Sequence, residues 1–223
     1  MHLDKKKSHS RLAVIGDTHS VNVFNGIARE VLWNTYAISV GDNGIGFFRS
    51  PPARAEKNVG FLFGNHDNRS IVKDHPNFLG PFGVIETLRH NVFYLSGAYS
   101  PDVGSRTEGV DWWRDEELSY AESSGAIDLA SEWKGKINIV VSHDCPSFLV
   151  GYKSHTGRLL DEIYRILSPR YWYYGHHHVR NTLWRCGTRF TCVGINEVLF
   201  HYDDLEVSDV YEADQLCDVR RYF

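Results

Sequence analysis

Val59-Gly60-Phe61-Leu62-Phe63-Gly64 runs directly into Asn65-His66-Asp67. This junction, an apolar run ending in a small residue and followed at once by metal-competent side chains, decides how the chain is read. It recurs four times. Leu12-Ala13-Val14-Ile15-Gly16 leads to Asp17-Thr18-His19, and Ala37-Ile38-Ser39-Val40-Gly41 leads to Asp42. Ile137-Asn138-Ile139-Val140-Val141-Ser142 leads to His143, and Tyr171-Trp172-Tyr173-Tyr174-Gly175 leads to His176-His177-His178. Short runs rich in β-branched and aromatic residues, without polar alternation, read as strands covered on both faces. The stretches between them carry helical spacing: Val23-Phe24, Ile27-Ala28 and Val31-Leu32 in one, and Leu159-Leu160, Ile163 and Ile166-Leu167 in another, which Pro169 stops. Alternating strands and helices predict a layered α/β fold with a mostly parallel sheet. Loops at the carboxyl ends of such strands open on one crevice, so the five junctions should gather their polar residues there.

Outward from these junctions the pattern weakens. Gly97 to Gly135 reads as an insertion over or beside the crevice, loop-like from Tyr99 to Ser105 and with Trp112-Trp113-Arg114-Asp115-Glu116-Glu117 opening an acidic helix. Arg180 to Cys186, Arg189 to Val193 and Glu197 to Tyr202 read as strands finishing a second sheet packed on the first. The expected class is therefore α/β, a layered sandwich of two mixed β-sheets flanked by helices. A flexible start at 1–10, one domain over 11–202 with the 97–135 insertion, and an acidic tail at 203–223 complete the division.

Composition narrows the function classes. With 223 residues, 42% of them hydrophobic and 23% charged, the chain is neither disordered nor fibrous. A chain of this length buries roughly 70–75% of its unfolded surface without staples. Lys plus Arg is 24 and Asp plus Glu is 28, a formal charge of −4, so a long nucleic-acid partner is disfavoured. No apolar run is long enough to span a membrane, and the start, with Lys5-Lys6-Lys7, lacks the apolar stretch of an export signal, which predicts a cytoplasmic protein. Cys145, Cys186, Cys192 and Cys217 form no C-x-x-C pair and are expected as reduced thiols.

The candidate ligands are Asp17, His19, Asp42, Asn65, His143, His176 and His178. Two carboxylates, one amide and four imidazoles suit borderline divalent ions, manganese first and iron, zinc, nickel or cobalt after it, better than calcium or magnesium. Seven ligands exceed what one catalytic ion with an open position can use, and they fit two ions sharing a carboxylate. Two ions about 3.5–4 Å apart can hold a bridging hydroxide and clamp both oxygens of an in-line displacement at phosphorus. Hydrolysis of a phosphate ester is the chemistry this set suits best.

Together Asp17-Thr18-His19, Gly41-Asp42, Gly64-Asn65-His66-Asp67, His143 and Gly175-His176-His177-His178 resemble, in order, the motifs of the calcineurin-like metallophosphoesterase superfamily, across residues 11 to about 200. The resemblance implies that Asp17, His19, Asp42 and His178 hold a first metal. It implies that Asp42, Asn65, His143 and His176 hold a second, with Asp42 bridging. It also implies that His66 binds the phosphate and protonates the leaving oxygen, a task its ordinary pKa near 6.5 suits. Asp67 is a candidate to orient His66, Asp144 to hold a ligand imidazole, and His177 is expected to point away from the metals.

Departures from the pattern bear on the subclass. The protein serine/threonine phosphatases continue the Gly-Asp motif as G-D-x-x-D-R-G, whereas this chain has Gly41-Asp42-Asn43-Gly44-Ile45-Gly46-Phe47. Arg49, Arg54, Arg69 and Arg106 are candidates for the missing arginine. Residues 97–117 resemble small bacterial and phage members, which implies that Arg106 approaches the substrate; pairing with a surface carboxylate is the other reading. The expected substrates are a phosphorylated small molecule, a nucleotide or a phosphopeptide. A protein phosphatase and a non-catalytic scaffold of the same fold stand as alternatives to a phosphomonoesterase or small-phosphodiester hydrolase. Phe47, Phe48, Tyr99, Trp112 and Trp113 are candidate platforms for a nucleobase.

Overall fold

The computed structural model describes residues 5–6, 11–31 and 33–201. The expectations for the rest of the first ten residues, for the tail at 203–223 and for Cys217 fall outside the described residues. Two mixed sheets face each other. The smaller has β2 (Arg11–Ile15), β3 (Thr35–Ser39), β4 (Val59–Phe61) and β11 (Val198–Phe200) in the order β11-β2-β3-β4. The larger has seven strands in the order β1-β5-β6-β7-β8-β10-β9: β1 (Lys5–Lys6), β5 (Phe82–Glu86), β6 (Asn91–Leu95), β7 (Ile139–Ser142), β8 (Tyr171–Tyr174), β9 (Asn181–Arg185) and β10 (Thr188–Cys192). The helices are α1 (Val21–Arg29), α2 (Arg69–Val72), α3 (Tyr120–Glu132) and α4 (His155–Leu167).

Burial follows the pleat. Leu12 and Val14 of β2 pack with Val141 and Tyr173 of the other sheet, whereas Ala13 and Ile15 turn to the face shared with Phe24 and Ala28 of α1. Strands β3, β4, β7 and β8 are buried at every position, which is why their sequences do not alternate. Helix α3 begins at a capping box formed by Ser119 and Glu122. Ser154 caps α4 by accepting from the Gly157 amide, and Ser168, left-handed at φ 44°, ends it before Pro169.

Four expectations change in detail. The five junction strands do not share one sheet: β2, β3 and β4 lie in the smaller and β7 and β8 in the larger, and their carboxyl ends meet across the gap. The late strands divide as well, since β9 and β10 form a hairpin on the larger sheet while β11 returns antiparallel to β2. Residues Trp112–Glu117 form an irregular loop in which Trp112 bridges to Glu108, because the helical cap is Ser119, and α3 starts only at Tyr120. The antiparallel pair β5 and β6 was not anticipated; Gly80-Pro81 before it and His90 within it obscured the pattern. Within the stretch read as an insertion, residues 97–118 are loop, while α3 packs on α4 and buries Ala126 and Ala130 in the core.

Candidate metal centre

Each site loop leaves a buried strand and turns sharply. His19, Asp42, His176 and His178 hold positive φ, between 47° and 64°, a conformation that costs non-glycine residues about 1–3 kcal/mol each and persists where surroundings enforce it. The small residues of the motifs permit this crowding. A Cβ on Gly64 would lie 2.1 Å from Asp42 Oδ1, and one on Gly175 would lie 2.2 Å from Asp17 Oδ1. Backbone amides lock the loops together: Thr18 and His19 donate to the Asp42 carbonyl at 3.1 and 2.7 Å. The His66 amide donates to Asp42 Oδ1, and the His176 amide to Asp17 Oδ2, both at 2.8 Å.

The predicted ligands converge. Asp17, His19, Asp42 and His178 form one group, and Asp42, His143 and His176 a second that shares Asp42. His143 Nδ1 lies 3.0 Å from the Val40 carbonyl, to which it donates, so its Nε2 carries a lone pair. That lone pair faces Asn65 Oδ1 at 3.0 Å and Asp42 Oδ2 at 3.6 Å. His176 Nδ1 meets the same Asn65 oxygen at 2.9 Å, and His19 Nε2 meets His178 Nε2 at 2.8 Å. Among the described residues, Asp17 Oδ1 and Asp42 Oδ2 are buried without a hydrogen-bond partner. Acceptors turned toward one another around two orphaned carboxylate oxygens are unfavourable unless cations lie among them. The donor set therefore fits two divalent ions.

Electrostatics agree. Burial pushes His143 down to about 3 and also lowers His19 and His176, leaving neutral imidazoles, the form that binds metal. Burial, with Asp17 and Asp67 nearby, drives Asp42 well above the carboxylate range, so a neighbouring cation is what would keep it ionised. Asp17 also suffers burial, but hydrogen bonding to His178 and the charges of His143 and His19 bring it below its ordinary value.

His66 sits at the mouth. Its Nε2 is 3.1 Å from Asn65 Nδ2 and 3.5 Å from Arg106 Nη2, and its Nδ1 is 3.4 Å from the Asp111 carbonyl. Burial, reinforced by Arg106 and His19, lowers it to about 4. The expected Asp67–His66 pairing is not formed. Both Asp67 oxygens are taken by donors from Asn43 N (3.1 Å), Asn43 Nδ2 (3.4 Å), Ile45 N (2.9 Å) and Gly64 N (3.1 Å), so Asp67 clasps the Asp42 loop to the Asn65 loop. Asp144 likewise holds no ligand imidazole; it meets His177, which does point away from the metal ligands.

Of the four candidate arginines, Arg106 reaches the site. It also pairs with Asp102 at 2.6 Å, the surface ion pair of the second reading, while its Nη2 lies beside His66. Arg69 is engaged by Glu122. Trp113 is buried and Trp112 half-buried, as packing residues would be. Sequence reasoning missed the support behind Asn65. Its Nδ2 donates to Ser100 Oγ at 3.0 Å, and Ser100 in turn donates to Glu116 by hydroxyl and amide, which fixes the amide oxygen toward the histidines. A buried glutamate in a loop of exposed acids has no local signal. Phe47, 5.0 Å from the His66 ring, and Phe48, stacked edge-on against it, form an aromatic rim.

The sequence profile of the calcineurin-like phosphoesterases matches residues 10–180. The chain belongs to this family. As a calcineurin-like phosphoesterase it is a metal-dependent phosphoester hydrolase. Among solved structures, the phosphopantetheinyl hydrolase PptH of Mycobacterium tuberculosis shares the fold, with a TM-score of 0.52 at 11% identity, over 88% of this chain and 98% of that one. Among curated protein sequences, none matches this phosphoesterase. No helix among its described residues is long and apolar enough to cross a membrane.

Proposed function

We propose that the chain hydrolyses a phosphomonoester or a small phosphodiester at the crevice where its two sheets meet. The observation that carries this reading is the pair of overlapping ligand groups sharing Asp42, with His66 and Arg106 beside them. Divalent ions there, manganese the first to test, supply an activated water and neutralise charge developing on the phosphoryl oxygens. Asp17, His19, Asp42 and His178 hold one ion, and Asp42, Asn65, His143 and His176 the other. Arg106 binds a phosphoryl oxygen, taking the place of the arginine missing from the Gly-Asp motif.

His66 donates the proton to the leaving oxygen from Nε2, with the Asp111 carbonyl rather than Asp67 orienting its ring. The negative charge of a bound phosphate opposes the burial and the Arg106 charge that together lower this imidazole in the free site. Phe48, 64% exposed, and half-exposed Tyr99 offer contact to a leaving group, which favours phosphorylated small molecules and nucleotides over long nucleic acid. Ile45 and Gly46 count against a protein phosphatase. The thiols of Cys145 and Cys192 suit a reducing compartment, which supports a cytoplasmic location.

Metal analysis of the purified chain, with hydrolysis of p-nitrophenyl phosphate and its bis ester in added manganese, tests the proposal. Two or more ions per chain with turnover are expected, and the ratio of the two rates ranks monoester against diester. No turnover with manganese, nickel or zinc would overturn it.

A further inference from the structure

Behind the candidate pair lies a second cluster that the hydrolytic chemistry does not use. Strands β7 and β8 are parallel neighbours, with Ser142 opposite Tyr174, so the residues that follow each strand emerge side by side. His143 and His176 point into the crevice. The residues next to them, Asp144, Cys145 and His177, turn to the other side and meet there. Asp144 Oδ1 is 3.2 Å from His177 Nε2, Cys145 Sγ is 3.4 Å from the same nitrogen, and the three atoms lie within 4.8 Å of one another.

We propose that Asp144, Cys145 and His177 form a third cation site, for a thiophilic divalent ion such as zinc or cobalt, which shares no ligand with the catalytic pair. Bond lengths of about 2.0–2.1 Å to oxygen and nitrogen and about 2.3 Å to thiolate give tetrahedral edges of about 3.3 Å (O–N) and 3.6 Å (N–S). The O–N and N–S separations lie within about 0.2 Å of these, and the oxygen and sulfur lie within 4.8 Å of each other. The donor set is softer than either group of the pair, because it alone contains sulfur.

Asp144 and Cys145 are buried, whereas the His177 side chain is 26% exposed, so the cluster reaches the surface through His177. The rings of Tyr174 and Tyr152, 5.9 and 6.5 Å from the His177 ring, wall the site. On binding, the thiol proton of Cys145 leaves to solvent and a sulfur–metal bond takes its place. An ion here would tie the residue after His143 to the residue after His176, and so hold two ligands of the second catalytic ion in register.

Cobalt(II) titration of the metal-stripped chain, under argon and without thiol reductant, tests this. The expected result is three cobalt ions per chain and a thiolate-to-cobalt charge-transfer band in the near ultraviolet that saturates with one of them. No ligand of the catalytic pair can produce that band. Cys145→Ser should abolish it and lower the stoichiometry to two, and His177→Ala should weaken that single site about tenfold or more, on the scale of a lost ligand contact. One cobalt with the band would support this site and overturn the catalytic pair instead. Two ions without a thiolate band in the unmodified chain would overturn the third site, and so would a band that survives Cys145→Ser. If Cys145→Ser fails to fold, the unmodified chain and His177→Ala still decide the matter.

Discussion

The seven candidate ligands stand on turns leaving buried strands, four of them in left-handed backbone, and amide donors tie the Asp17 loop to Asp42, the Asn65 loop to Asp42, and the His176 loop to Asp17 and His143. Arg106 and Phe48, beside His66 and Phe47, stand on the loops at 97–118 and 46–50, where solvent-facing side chains and ion pairs replace buried strands. Phe48 also has left-handed backbone, yet its ring lies against Phe47 and largely in solvent rather than enclosed. The floor has little room to change without losing its geometry. The rim can change side chain by side chain, so the proposed function assigns the chemistry to the floor and the choice of substrate to the rim.

The largest effect should come from the floor. Asp42→Asn removes the one carboxylate common to both ligand groups, so both ions should be lost. Activity should then fall by more than the roughly 10²–10⁴-fold that one acid–base group contributes. Elemental analysis and turnover check this together, and full activity with two bound ions would refute the bridge. At the boundary between floor and rim, His66→Ala should keep the ions and lose about 10²–10⁴-fold in kcat on alkyl phosphates, with a much smaller loss on aryl phosphates, whose leaving groups need no proton. Equal losses on both would mean that His66 is not the acid. At the rim, Arg106→Ala should raise KM about tenfold with a smaller change in kcat, because it removes a charged contact made before the transition state as well as in it. A loss confined to kcat would move Arg106 into the chemical step.

The same contrast explains what could be read from the sequence. Apolar runs ending in glycine or serine before Asp17, Asp42, Asn65, His143 and His176 betrayed both the strands and the site, because close approach of the loops forbids larger residues there. What escaped depends on contacts distant in the chain. Ser100 and Glu116 support Asn65 across 35 and 51 positions, and nothing local marks them. Asp67 looked like a partner for its neighbour His66, but the backbone aims it at Asn43 and Ile45, since adjacent side chains on a turn need not point the same way. The division of strands between two sheets was equally hidden, because a buried parallel strand carries the same apolar signature in either.

One feature of the topology bears on how the protein is made. The loop that carries Asp17 is held by a segment from far along the chain: the Asn196 amide donates to the Asp17 carbonyl at 2.8 Å, Gly16 donates to Glu197 at 2.9 Å, and β11 pairs with β2. A ribosome therefore releases the first ligand long before the segment that steadies it, and no partial chain can gather Asp17 with His178. Gathering of the full ligand set is therefore a late event in biosynthesis, after the segment that carries His178 and Asn196 has been made.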